Sequence, residues 1–206
     1  MLKGWCTELG VEIASLGVQV HGGMGFIEET GAAQYLRDAR IAPIYEGTTG
    51  IQAGDLVGRK LSTDNGSAMT ELIEEIEEMR AVEDRLGGSD NVDSPAIRES
   101  LAGGIRALEQ ATEWVLQTIR SDPNAAMAAS VNYMMLTGYV CGGWQMARAA
   151  LAARARLGSG ADEGFCRTKI ATARFYAEQI LPKASALLPI VRNGASTAYV
   201  LDEEQF

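Results

Sequence analysis

The sequence predicts an all-α protein built as helical bundles, and three observations carry that prediction. No segment alternates apolar and polar residues with β-branched enrichment between turns, the pattern that a half-buried strand requires. Apolar residues recur three and four apart instead, the spacing of one face of a helix. Helix punctuation is also explicit: Ser94-Pro95 and Asp122-Pro123 each pair a capping side chain with a proline at the first helical position, and glycine pairs stand where apolar stripes end. A shift in composition at residues 62–68, STDNGSA, reads as a linker of turn formers between a helical block at 1–61 and a second, four-helix block at 69–206.

In the first block, Leu9, Ile13, Leu16 and Val20 form one apolar stripe, which Gly22 and Gly23 terminate. A short helix is expected over residues 28–39, with Tyr35 and Leu36 inward and Arg37 and Arg40 near its negative C-terminal end. Pro43 ends it, and a third helix follows over about residues 50–61. The second block opens on a helix whose buried face carries Met69, Leu72, Ile73, Ile76, Met79, Val82 and Leu86, closed by Gly87 and Gly88. Its opposite face carries Glu71, Glu74, Glu75, Glu77 and Glu78, which read as a solvated surface because no histidine lies nearby to complete a metal site. Two long helices follow. One presents Ile97, Leu101, Ile105, Leu108, Val115 and Ile119; the other presents Met127, Val131, Met134 and Met135, then Gly138 and Gly142, where a neighbouring backbone is expected to approach closely. A last helix over about residues 162–187 presents Phe165, Ile170, Ala173, Tyr176 and Ile180, with a kink at Pro182.

Bulk properties exclude several classes of function. A formal charge of -9 disfavours nucleic acid and acidic lipid surfaces, which need clustered Lys and Arg. Residues 123–147 carry no charge and have the length of a membrane span, but Asn124, Ser130, Asn132, Thr137 and Gln145 interrupt the run, so a helix buried on most sides is the better reading. Cys6, Cys141 and Cys166 are odd in number and far apart, which fits a reducing cytoplasm and neither a disulfide framework nor a zinc site. No basic segment leads into an apolar stretch with a cleavage site.

Candidate chemistry is confined to residues 17–55. His21 has no Ser, Cys or acid at a telling distance, which makes a structural or capping role the commoner reading. The stretch GGMG satisfies neither the dinucleotide fingerprint nor a P-loop. IYEGTTGIQ, residues 44–52, is more informative. Thr49 and Gln52 have the spacing of a capping box. That leaves Glu46, a charge between an aromatic ring and a glycine. Apolar surroundings there would raise its pKa and suit it to abstract a proton, but spacing alone leaves base and plain loop carboxylate equally open.

Residues 17–61, GVQVHGGMGFIEETGAAQYLRDARIAPIYEGTTGIQAGDLVGRKL, resemble the C-terminal end of the acyl-CoA dehydrogenase family. The Q-x-x-G-G segment, the R-D-A-R helix and I-Y-E-G-T-x-x-I-Q follow in that family's order. Residues 67–206 resemble the additional helical domain of a larger subfamily, which includes enzymes acting on 3-methylmercaptopropionyl-CoA. The resemblance implies an FAD-dependent oxidation of an acyl-CoA to the trans-2-enoyl-CoA, with Glu46 as the catalytic base. Tyr45 and Gly47 would lie beside the substrate, and the Glu46 N–H would help polarise the thioester carbonyl. Gln19, Val20, His21, Gly22 and Gly23 would touch the FAD of a neighbouring subunit, and Thr48, Thr49 and Gly50 its phosphate and adenosine portion. Implied partners are a homodimer or tetramer of the full-length protein and an electron-transfer flavoprotein. The family's N-terminal helical and middle β domains have no counterpart here, so Met1 reads as an artificial or misassigned start or as that of a truncated copy, and the chain alone is expected to be inactive. The rival expectation is a non-catalytic helical interaction or dimerisation module.

Overall fold

A computed structural model describes residues 1–86, 93–158, 160, 162–201 and 203–205. The chain runs through α1 (Leu2–Val20), α2 (Gly23–Phe26), a 3-10 turn (Glu28–Thr30), α3 (Ala32–Ile41) and α4 (Thr49–Gly54), which winds on as a π-helix (Asp55–Leu61). Then come α5 (Ser67–Leu86), α6 (Asp93–Ser121), α7 (Pro123–Ala128), α8 (Ser130–Arg156), α9 (Glu163–Gln179), α10 (Pro182–Asn193), α11 (Ala195–Ala198) and a final 3-10 turn (Glu203–Gln205). Among the described residues there is no strand, as predicted.

The uncharged stretch forms the centre of the bundle. Helix α8 buries Tyr133, Met134, Leu136, Val140, Ala147 and Ala150, packed among α6, α9 and α10, and α5 lies on α6. Ile97, Leu101, Ile105, Leu108 and Val115 of α6 are buried in the same core, as their spacing predicts. No described helix is long and apolar enough to cross a membrane. Ile73 and Ile76 of α5 face inward, while the opposite face is solvated and Glu77 pairs with Arg80 at 2.5 Å. No group of acidic, Cys or His residues that could hold a metal occurs among the described residues. The inward positions expected for Val82 and Leu86 and the cap expected at Ser94 fall where the backbone but not the side chains is described, and the stop at Gly87 and Gly88 lies outside the described residues.

Several expectations are corrected. The linker is shorter than residues 62–68: the helix continues through Thr63, and the turn is Asp64, Asn65 and Gly66. The Asp64 carboxylate accepts from Gly66 N at 2.9 Å and Ala68 N at 3.0 Å, while Asn65 and Gly66 take positive φ. Across that turn the core is continuous, since Ala53, Leu56, Val57 and Leu61 share it with α5, α6 and α8. Asp122 caps as predicted, accepting from Ala125 N at 3.0 Å with Pro123 in the first turn, but the expected long helix breaks at Ala129 into α7 and α8. Met127 and Val131 are partly exposed rather than buried. Pro182 opens a new helix rather than kinking one, because a proline is well suited to the first helical position, whose N–H needs no partner. Phe165 is exposed, and Tyr35 points outward with Ala32 taking the inward place on α3. The apolar stripe of α1 is left open at Ile13, Leu16 and Val20.

Gly138 and Gly142 admit side chains rather than a neighbouring backbone. A Cβ at Gly138 would fall inside the Trp5 indole, and one at Gly142 would meet the Tyr176 hydroxyl and the far edge of Trp5. Trp5 also meets Tyr139 edge to face, with ring centroids 6.1 Å apart. Residue 5 of α1 is thus seated in a notch cut into α8. Gly138→Ala should destabilise the chain by about 1–3 kcal/mol through overpacking. Gly10→Ala, where nothing lies within 4 Å, should be neutral or stabilising. Chemical unfolding of the two variants distinguishes them, and equal midpoints would contradict the seating of Trp5.

The cysteines are free. Cys6 is exposed, whereas burial pushes the Cys141 thiol up to about 11. With the folded value above an unfolded value of about 8.5, the fold holds a proton that the unfolded chain gives up; this contribution is full below that unfolded value and is lost as the pH rises toward the folded one. Iodoacetamide at pH 8, a condition of the test, should label Cys6 well before Cys141, as read by mass spectrometry of the peptides.

Candidate functional site

The loop between α3 and α4 is shaped by its backbone. Ile44 N and Tyr45 N both donate to Ile41 O, at 3.0 and 3.1 Å, which carries the chain one turn past the end of α3. Glu46 and Gly47 then take left-handed conformations in succession, with φ of 52° and 89°. A left-handed residue other than glycine costs roughly 1–2 kcal/mol, so surrounding contacts must hold Glu46 there. They do so through the carbonyls. Lys3 Nζ, from the first turn of α1, donates to Tyr45 O at 2.9 Å and to Gly47 O at 2.6 Å. Gln52 Nε2 reaches back to Glu46 O at 3.3 Å, and Thr49 N–H donates to Pro43 O at 3.2 Å.

The capping arrangement differs from the expected one by a residue. Thr48, not Thr49, is the N-cap of α4, its hydroxyl accepting from Ile51 N at 3.3 Å. Thr49 is freed to donate its hydroxyl to the Glu8 carboxylate on α1, and Gln52 braces Glu46 instead of completing a capping box. Glu46 itself is exposed, so the apolar enclosure expected for it does not come from the described residues. Tyr45 is half exposed, its ring 6.0 Å from the Lys3 ammonium, and Gly47 is half buried against the Gln52 amide.

Structure places Gln19, Val20, His21, Gly22 and Gly23 at the exposed C-terminal end of α1. His21 Nδ1 lies 2.8 Å from Gly17 O; a carbonyl only accepts, so this nitrogen carries the hydrogen and caps the helix. Gly22 takes a φ of 61°, and a Cβ at Gly22 or Gly23 would meet nothing within 4 Å. In GGMG only Gly25 is buried, where a Cβ would strike the Val18 carbonyl; its role is to fold α2 back on α1. Thr48, Thr49 and Gly50 lie at the start of α4, beside the second turn of α1. The two candidate cofactor sets are not brought together: Glu8, which holds Thr49, and Gln19 are separated by about 16 Å of helix. A groove of about 620 Å³ lined by Glu8, Glu12, Ser15, Thr49, Val131 and Met135 runs along α1 beside Thr49.

Sequence reasoning missed Lys3 and Glu8. One signal was present, since Lys3 is the single Lys or Arg before Arg37. Gly47→Ala should destabilise by about 1–2 kcal/mol. Glu46→Gly should be neutral to slightly stabilising, because relief of the left-handed backbone offsets the added flexibility of the unfolded chain. Urea midpoints check both, and a marked loss in Glu46→Gly would contradict the left-handed assignment.

Two family models cover most of the chain: "Acyl-CoA dehydrogenase, C-terminal domain" matches residues 1–61, and "Acetyl-CoA dehydrogenase C-terminal like" matches residues 72–202. The 3-methylmercaptopropionyl-CoA dehydrogenase of Ruegeria pomeroyi is 50% identical over 188 residues, which are 90% of this chain and 31% of that protein. The broad-specificity linear acyl-CoA dehydrogenase FadE5 of Mycobacterium tuberculosis is 29% identical over 212 residues, covering 100% of this chain and 34% of the relative. The caffeyl-CoA reductase-Etf complex subunit CarC of Acetobacterium woodii is 42% identical over 52 residues, 25% of this chain and 14% of the relative. The chain thus spans roughly a third of the length of the first two relatives. Its helical architecture and the two family models that tile it make this chain a member of the acyl-CoA dehydrogenase family, carrying that family's C-terminal region.

Proposed function

We propose that this chain is the part of an FAD-dependent acyl-CoA dehydrogenase that carries the catalytic base, acting in a protein that oxidises an acyl-CoA thioester to its trans-2-enoyl-CoA. The observation that carries this reading is the loop itself: an exposed carboxylate at Glu46, on a left-handed backbone braced at three consecutive carbonyls. Bracing of that kind serves a side chain that must be aimed, and strained backbone persists where function requires it. Glu46 takes the proton from the carbon next to the thioester. Its backbone N–H donates to the thioester oxygen as negative charge develops there. Gly47 leaves room for substrate against the backbone, and Tyr45 lies beside it.

FAD, when bound, supplies the two-electron acceptor for hydride from the neighbouring carbon. The chain's residues fit such a group. Thr48 and Gly50 offer a hydroxyl and an N–H at the start of α4, where anions are favoured, whereas Thr49 has its own donors committed to Pro43 O and to Glu8. Gln19, Val20, His21, Gly22 and Gly23 offer an open surface with neutral donors for the FAD of a neighbouring subunit in a homodimer or tetramer. An electron-transfer flavoprotein would be the partner that accepts the electrons, a reading supported by the Etf-complex subunit among the relatives. The first substrate to assay is 3-methylmercaptopropionyl-CoA, named in the relative that shares half its aligned residues with this chain. Within this reading residues 1–61 belong to the dehydrogenase's own helical domain and 69–206 form the additional domain, joined through the turn at residues 64–66. Three free cysteines support a reducing cytoplasm.

The apolar face left open on α1 and α2 at Ile13, Leu16, Val20, Met24 and Phe26 supports a second reading, a helical interaction module without catalysis. Kinetics separate the two. In the full-length dehydrogenase carrying this chain, Glu46→Gln should keep its flavin spectrum and lose about 100- to 10,000-fold in dehydrogenation rate. A near-unchanged rate would overturn the base assignment, and a protein that takes up no flavin would favour the module.

A further inference from the structure

The carbonyl of Tyr45 and the N–H of Glu46 belong to one peptide group. An amide polarises as a unit: a cation at its oxygen draws electron density from its nitrogen and makes the N–H a stronger donor. Lys3 Nζ stands 2.9 Å from that oxygen and 2.6 Å from the Gly47 oxygen, so one ammonium bridges the Tyr45–Glu46 and Gly47–Thr48 peptides. Gln52 holds the carbonyl between them, but as a neutral donor. The placement is built rather than incidental. Lys3 is half buried, and Trp5, two residues along, is seated in the notch over Gly138 and Gly142, which fixes the first turn of α1. One turn further, Glu8 accepts from the Thr49 hydroxyl and secures the far side of the same loop.

We propose that Lys3 is a positioning residue for the reaction. It holds Glu46 in its left-handed conformation and polarises the Tyr45–Glu46 peptide, so that the Glu46 N–H binds the thioester oxygen most strongly when that oxygen gains charge. This inference rests on the reading of Glu46 as base and of its N–H as donor to the thioester. A simple tether would tie the loop down without acting through the amide. The two roles differ in what they change, since polarisation favours the transition state over the bound substrate and so acts on kcat more than on KM.

The test uses the full-length dehydrogenase, with crotonyl-CoA carrying carbon-13 at the thioester carbonyl as the spectroscopic probe. Lys3→Met should lower kcat by about 10- to 100-fold, less than the loss of a direct oxyanion donor, with KM changed much less. The carbonyl stretch of bound crotonyl-CoA should move to higher frequency, the sign of weaker polarisation. Lys3→Arg, which keeps a cation at the two oxygens, should restore most of the rate and the frequency. Should Lys3→Met fail to fold, Lys3→Gln, which keeps a neutral donor, takes its place with the same expected direction. An unchanged kcat and carbonyl frequency, or a rise in KM alone, would overturn the proposal. Glu46→Gln in parallel tells the two failures apart: if it is inactive while Lys3→Met is fully active, only the role of Lys3 falls, and if Glu46→Gln is active, the proposed function falls with it.

Discussion

Two successive left-handed residues are the constraint on which the site depends. Gly47 adopts that conformation readily, but Glu46 does not, and a loop free to relax would return it to the right-handed region. What prevents this is long-range. Lys3 and Gln52 occupy the carbonyls of residues 45–47, and Glu8 anchors Thr49 just beyond. Both Lys3 and Glu8 come from α1, so the loop is only as well placed as that helix. The position of α1 rests in turn on Trp5, which needs glycines at 138 and 142 of α8 to be seated. A line of dependence therefore runs from a notch in the most buried helix, through one indole, to the backbone from which a single carboxylate projects.

Much of the fold was legible from residue type and spacing because the features concerned are local. The apolar face of α6 and the Asp122 cap follow from contacts within a turn or two of helix. Errors arose where the deciding partner is distant. Periodicity identifies the apolar face of α1 but cannot say whether this chain covers it, and it leaves Ile13, Leu16 and Val20 exposed. Glycines four apart announce a close approach without naming the visitor, which proved to be Trp5 and Tyr176 rather than a backbone. Pro182 could either kink a helix or begin one, and the choice depends on how α9 and α10 pack against the bundle.

At the candidate site the same division holds. IYEGTTGIQ marks itself by an isolated carboxylate beside glycine, and the capping spacing drew attention to Thr49 and Gln52. The role of Thr49 depends on Glu8, 41 positions away, which leaves capping to Thr48, while Gln52 is drawn to the Glu46 carbonyl six positions back. Positive φ at Glu46 leaves no trace in composition, and the isolation of Lys3 marks it without saying that its partners lie more than forty positions away. The backbone geometry fixes where the Glu46 side chain leaves the loop, and the proposed function is what gives that carboxylate a chemical role.

The central claim is that Glu46 is aimed by a strained loop clamped from α1. A crystal structure of the full-length dehydrogenase with a bound enoyl-CoA tests it most directly. The account predicts that Glu46 keeps a positive φ, that its N–H lies about 3 Å from the thioester oxygen, and that Lys3 Nζ stays within hydrogen-bond reach of the Tyr45 and Gly47 oxygens. A right-handed Glu46, or a Lys3 turned away from the loop while the thioester remains bound, would contradict it.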